Sequence, residues 1–258
     1  MHCIFNQVDF FCFDFSTSQW YLGELQKIGD SDDFFLENSH TVSAEKSFNK
    51  SSNFNVFATG GLEDSFGALM ASKKVFVASF YTNIDAVTQI KMQFKTLPDL
   101  PESLFYHQSA LIKDAKGDTN LLVFGGLSAF GNYEGQESRN QVHSFNLQAE
   151  FKAQANFESF YDNRTKTNWV ERAPMNEKRA GFSSVVTQSQ LLYVFGGHNQ
   201  GKLASIAIER FNINQNIWTP IPLKIDDQDF TSLIGAAMTT DPANEKVYIL
   251  GGSDGQVL

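Results

Sequence analysis

The chain has 258 residues, of which 42% are hydrophobic, 14% aromatic and only 19% charged, with a formal net charge of −9. That supplies core material for one large β domain or two small ones, and 25 phenylalanines favour strands. Basic residues gather no further than pairs such as Lys73-Lys74 and Lys178-Arg179, which speaks against a nucleic-acid binder, since phosphate contacts need clustered cations.

The opening "MHCIFNQVDFFCF" is apolar but is broken by Asn6, Gln7 and Asp9 and has no basic start, so no secretory signal is expected. No stretch reaches the ~20 apolar residues of a membrane span. The expectation is a soluble, cytoplasmic protein with no membrane contact. Cys3 and Cys12 are the two cysteines, too few for a disulfide framework, and read as small apolar residues in a reducing compartment.

In chain order, "FDFSTSQW" predicts a strand closing on an aromatic, a polar turn and a strand opening on Trp20. A small-residue strand "HTVSA" and an apolar strand "NVFATGG" follow, the latter ending at Gly60-Gly61. Phe94 in "MQFKTLPDLPESLFYHQSAL" takes the place of a Trp, because "LPDLP" corresponds to "APM" (173–175) and "PIP" (220–222). Next come "HQSAL" and "LLVFGG", ending at Gly125-Gly126. Either "QVHSFNL" or "ESFYDN" supplies the following strand; the first is favoured, with an insertion after it. "YDNRTKTNW" runs from Tyr161 to Trp169, "GFSSVV" and "LLYVFGG" end at Gly196-Gly197, and "FNINQNIW" ends at Trp218. "IGAAM" and "KVYILGG" close the series at Gly251-Gly252. Runs such as "LLYVF" are too short for a helix and too continuous for a strand with one wet face, so they read as strands buried on both sides.

Glycine pairs therefore recur at intervals of 65, 71 and 55 residues, a range that points to propellers, solenoids or arrays. Lining up the markers yields a four-strand unit: a small-residue strand suited to crowding near an axis, an apolar strand ending Gly-Gly, a strand ending in an aromatic, and a strand carrying Trp. This set resembles the kelch repeat over nearly the whole chain. The best-matching stretch carries Tyr161, Asp162, Thr165, Trp169, Pro174, Arg179 and Gly196-Gly197 in the family's order. The resemblance implies an all-β, kelch-type β-propeller with four-stranded antiparallel blades. Units exceed the family's usual ~50 residues through insertions at 23–38, 45–53 and 127–166.

The expected single domain, 1–258, begins with the last two strands of a blade (1–28). Complete blades follow at 39–98, 106–175 and 180–223, and the first two strands of another at 232–258. That makes about four blade equivalents, three complete and one split between the termini. The favoured reading is a partial propeller; the alternative is a closed four-bladed ring in which the terminal pairs complete one another. An open arc would expose apolar faces and unpaired edges, and so invite self-association.

The residues show no catalytic constellation. Of the histidines, His40 and His107 are placed at the same repeat position, which suggests packing, while His198 follows a glycine pair on a loop without a partner at metal-ligand spacing. "DSDD" (Asp30, Asp32, Asp33) lacks the closing Glu of a calcium loop, and "GNYEGQE" lacks the Lys and helix of a phosphate cradle. No metal site and no cofactor are expected. The resemblance leaves a kelch-like enzyme as the alternative, either a metal-dependent oxidase or a sugar-acid isomerase.

In the four-strand unit, loops after the glycine pairs and before the small-residue strands converge on one face, and loops on a rigid scaffold are the usual carriers of function. The expectation is a non-catalytic interaction module or scaffold that binds another protein there. Candidate contacts are Lys178, Arg179, His198, Asn199 and Gln200, with Phe130, Tyr133, Phe34 and Phe35 as aromatic anchors.

Overall fold

The computed structural model describes residues 2–5, 9–14, 19–24, 40–44, 54–65, 68–82, 90–128, 137–148, 168–204, 206–225, 228–229, 232–241 and 246–254. Every regular strand in it pairs antiparallel. β1 (His2–Phe5), β2 (Asp9–Asp14) and β3 (Gln19–Glu24) form a three-stranded sheet in the order β1-β2-β3. The sequence reading assigned two strands to this region; the polar break at Asn6 and Gln7 separates β1 from β2 rather than ending the sheet. In this pairing Cys3 lies opposite Cys12 and Phe13 opposite Trp20.

Three four-stranded sheets follow. Unit 1 consists of β4 (His40–Ala44), β5 (Phe54–Thr59), a short hairpin of β6 (Leu62–Ser65) and β7 (Ala68–Ala71), then β8 (Val75–Thr82) and β9 (Ile90–Leu97), in the order β4-β5-β8-β9. Unit 2 is β10 (Gln108–Lys113), β11 (Thr119–Phe124), β12 (Val142–Asn146) and β13 (Trp169–Arg172), in chain order. "QVHSFNL" thus supplies its third strand. Unit 3 is β14 (Ser183–Val186), β15 (Leu191–Phe195), a hairpin of β16 (His198–Asn199) and β17 (Lys202–Leu203), then β18 (Ile208–Asn212) and β19 (Ile217–Ile221), in the order β14-β15-β18-β19. A small ribbon of β20 (Lys224–Ile225) and β21 (Gln228–Asp229) precedes the final pair, β22 (Ala237–Asp241) and β23 (Lys246–Leu250).

The first strands of successive units lie side by side, β4 with β10, β10 with β14 and β14 with β22, while β3 lies beside β9. Strand periodicity then explains the continuous apolar runs. Side chains alternate between faces, so Leu121 and Val123 of β11 pack toward unit 1 with Phe57, Val75, Val77 and Leu97. Leu122 and Phe124 pack toward unit 3 with Leu192, Val194, Phe211 and Trp218. All six residues of β11 are buried. β23 occupies the same place in the last pair, yet its alternate residues Tyr248 and Leu250 are 46% and 60% exposed. The covered face of the pair packs with Phe195, Ala207 and Ala236 through Met238 of β22 and Ile249 of β23.

The aromatic and tryptophan markers form cross-strand pairs. Trp169 is opposite Phe145, their rings 5.2 Å apart, and Trp218 is opposite Phe211 at 4.9 Å. Tyr161 lies outside the described residues, and the aromatic facing Trp169 is Phe145. Each indole also reaches into the preceding unit: Trp169 Nε1 donates to the Pro98 carbonyl at 3.1 Å and Trp218 Nε1 to the Ala173 carbonyl at 2.9 Å. By register Phe94 holds the equivalent position in β9, three residues before the strand's end, but its partner across the pair is Ala78.

Candidate functional site

The four glycine pairs share one conformation. Their φ values run from 55° to 78° at the first glycine and from 89° to 105° at the second, a region that strains any residue bearing a Cβ. Space forbids a side chain as well in the first three pairs. A Cβ on Gly126 would lie 2.6 Å from His107 Cβ, and one on Gly197 2.8 Å from Phe182 Cβ.

This tightness serves a repeated hydrogen-bond device. In the first three pairs the first N–H donates within its own unit: Gly60 to Lys74, Gly125 to Gln141 and Gly196 to Ala207. The second donates across to the next unit, Gly61 to the Leu104 carbonyl at 2.7 Å, Gly126 to Arg179 at 2.8 Å and Gly197 to Leu233 at 2.8 Å. Two residues per unit thus fix the loop that leads into the following first strand.

Those entry loops are tied to the loops beyond the glycines. Phe105 exchanges backbone hydrogen bonds with Leu127, Ala180 with His198 and Ile234 with Ser253. Neighbouring units are cross-linked too: the Ser138 N–H donates to Asn199 Oδ1 at 2.9 Å and its hydroxyl to the His198 carbonyl at 2.8 Å. The face is therefore rigid backbone with polar side chains on its rim.

Arg179 is a correction. It was expected on the surface, but its side chain is wholly buried and paired with the equally buried Glu209, Nη2 to Oε1 at 2.7 Å. It also donates to the Gly196 and Ile206 carbonyls at 2.7 and 2.6 Å, while Glu209 Oε2 accepts from the backbone and side-chain nitrogens of Asn176. A guanidinium stripped of water needs this full set of acceptors, so Arg179 holds loops together and has no surface to offer. Glu209 escaped the sequence reading, although a carboxylate in register with Phe211 and Ile213 on the covered side of a strand was a visible signal.

Of the remaining candidates, Lys178 is part-exposed and paired with the exposed Glu137, which that ammonium holds below the ordinary carboxylate pKa. His198 is half-buried, and burial pushes its pKa down from 6.5, leaving the imidazole neutral at pH 7. Asn199 is occupied by Ser138; Gln200 is exposed at the tip of the β16–β17 hairpin with φ 50°. Phe34, Phe35, Phe130 and Tyr133 lie outside the described residues. His40 and His107 do not share a position: His40 pairs with Thr59, whereas the corresponding partner of Phe124 is Gln108. The two histidines are therefore offset by one residue, His107 preceding the first residue of β10. His107 is buried, its Nε2 2.8 Å from Thr59 Oγ1 of unit 1.

Unit 2 gathers a related polar group at the corresponding place. His143, at the register place of Glu209, has Nε2 3.6 Å from Glu102, which also lies 3.4 Å from Arg139 Nε. Among the described residues no group of three or more His, Cys, Asp or Glu is placed to hold a metal ion, and no helix is long and apolar enough to cross a membrane.

Residues 179–222, from the buried arginine to the end of unit 3, match the family model of the Kelch motif. No curated protein matches the chain.

Proposed function

We propose that this is a kelch-repeat chain, as the Kelch-motif match over residues 179–222 supports, and that its four-stranded units are blades of a β-propeller that acts as a non-catalytic protein-interaction module. A partial propeller is favoured over a closed four-bladed ring. Registers support this: the N-terminal sheet brings three strands, not the two that would complete β22 and β23. The outer side chains of β23 are open as well, and offer a surface for self-association.

The observation that carries the binding reading is the cross-linked glycine-pair face. Its loops are held by backbone hydrogen bonds and by the side chains of Ser138, Asn199 and Arg179, and binding to preordered loops costs little ordering entropy. Lys178, His198, Asn199 and Gln200 lie on this face. Arg179 and Glu209 support it from beneath.

Affinity capture with the chain as bait tests the reading against a Gln200→Lys, Lys202→Glu variant. A partner retained by the parent and lost by the variant is the expected result. Identical partner sets would count against binding at this face.

A further inference from the structure

Register places the N-terminal sheet within the repeat. Phe13 of β2 stands opposite Trp20 of β3. In units 2 and 3 the third strand stands to the fourth in the same way, Phe145 opposite Trp169 and Phe211 opposite Trp218. β2 and β3 thus correspond to the third and fourth strands of a unit, and β1, on the other edge of β2, fills the place of a second strand.

β1 lacks the marks of that place. Asn6 and Gln7 follow it in the sequence, where β5, β11, β15 and β23 each run into a glycine pair. Opposite the marker phenylalanine β1 presents His2, whereas units 2 and 3 present Leu121 and Leu192.

β23 carries the marks and lacks the partner. The second strands of units 1 to 3 pair on both edges, but among the described residues β23 pairs with β22 alone. β22 packs on β14, and neither strand is packed on the β1–β3 sheet of its own chain. The exposed residues Tyr248 and Leu250 correspond in register to Leu122 and Phe124 of β11, which are buried against the following unit.

Set on β2 in the register of units 2 and 3, β23 brings Leu250 opposite Phe10, Tyr248 opposite Cys12, Val247 opposite Phe13 and Lys246 opposite Asp14. An apolar residue then faces the marker phenylalanine, and the last pair has opposite charges, which favours cross-strand pairing. Five residues of β23 replace the four of β1. Unit 1 lies beyond the N-terminal sheet, with β9 beside β3, so it stands where a following unit is needed to cover Tyr248 and Leu250.

We propose that β23 pairs with β2 of a second copy of this chain, displacing that copy's β1 to build a shared sheet in the order β22-β23-β2-β3. This rests on the partial-propeller reading, in which β23 has no strand of its own chain to meet.

Cysteine cross-linking tests the register. A Cys3→Ser, Tyr248→Cys variant makes positions 12 and 248 a facing pair of cysteines. Isotope-labelled and unlabelled chains are mixed, left to exchange and oxidised with copper–phenanthroline, and the linked peptides are mapped by mass spectrometry. The expected product is a 12–248 link that joins labelled to unlabelled chains. It should be absent when Ile249→Cys replaces Tyr248→Cys, because position 249 faces Phe11. Sedimentation of the otherwise unaltered chain should show self-association that Lys246→Glu weakens about tenfold. Adding Asp14→Lys to Lys246→Glu should restore it. A 12–248 link confined to single chains would overturn the exchange and the partial propeller together, since the ring would then close within one chain. Self-association with neither the link nor a response to the charge substitutions would overturn the exchange and leave the partial propeller standing. A chain that stays monomeric and forms no such link would also overturn the exchange.

Discussion

Arg179 and Glu209 meet at 2.7 Å with neither side chain exposed. The pair joins the loop entering unit 3 to that unit's third strand, and through Gly196 and Ile206 it clasps the loop that bears His198 and Gln200. Removing one member of a buried pair leaves the other charge without compensation. Arg179→Ala is expected to lower stability by about 3–5 kcal/mol, and Glu209→Ala by a comparable amount. The double variant should cost less than the sum of the two, read by urea unfolding.

Glycine substitutions separate backbone strain from steric clash. Gly117 has φ 81° and open space around a Cβ, so Gly117→Ala should cost about 1 kcal/mol, the price of the left-handed backbone. Gly197 has φ 89° and would push a Cβ onto Phe182 and the Ala180 carbonyl. Gly197→Ala should cost about 3 kcal/mol once overpacking is added. Equal losses at the two sites in denaturant titrations would contradict the close approach of Gly197 to the loop that enters its own unit.

Trp218 joins unit 3 to unit 2 both by packing against Phe124 and Phe211 and by its indole N–H to Ala173. Trp218→Phe keeps most of the apolar contact and loses the hydrogen bond, for an expected cost of about 1–2 kcal/mol. Trp218→Ala should cost about 3–5 kcal/mol. Chemical denaturation of the two variants distinguishes the contributions.

Burial of His198 lowers its folded pKa below the ordinary 6.5, so the unfolded chain binds the proton more readily. Its effect on stability is absent above the unfolded value. It becomes a loss as pH falls from 6.5 through the lower folded value. His198→Asn should remove that part of the acid destabilisation. The difference between parent and variant midpoints, measured from pH 7.5 to 5, should widen in the variant's favour as pH falls.

Most of the architecture was legible because three markers repeat with physical cause. Glycine pairs mark where units touch, tryptophans mark the clasp to the unit before, and small-residue strands mark the crowded inner row. The alternation of "QVHSFNL" identified β12 across a long insertion. What stayed hidden was of other kinds. β1 was obscured by the polar residues that follow it, and the hairpins β6–β7 and β16–β17 are too short for periodicity to register. Arg179 looked like half of an exposed basic pair, since a sequence does not show which of two adjacent cations turns inward. Tyr106 carries no sequence signal at all. It has φ 52° at the place that Gly181 and Gly235 hold in the loops entering β14 and β22.

A partner seated on the glycine-pair face must shield the amides of its loops. Hydrogen exchange of the chain, alone and with a captured partner, tests it most directly, because the opposite ends of the same strands provide an internal control. The predicted result is added protection at 104–106, 179–181 and 197–204, with no change in the turns at 114–118, 187–190 and 213–216. Protection confined to those turns would contradict it.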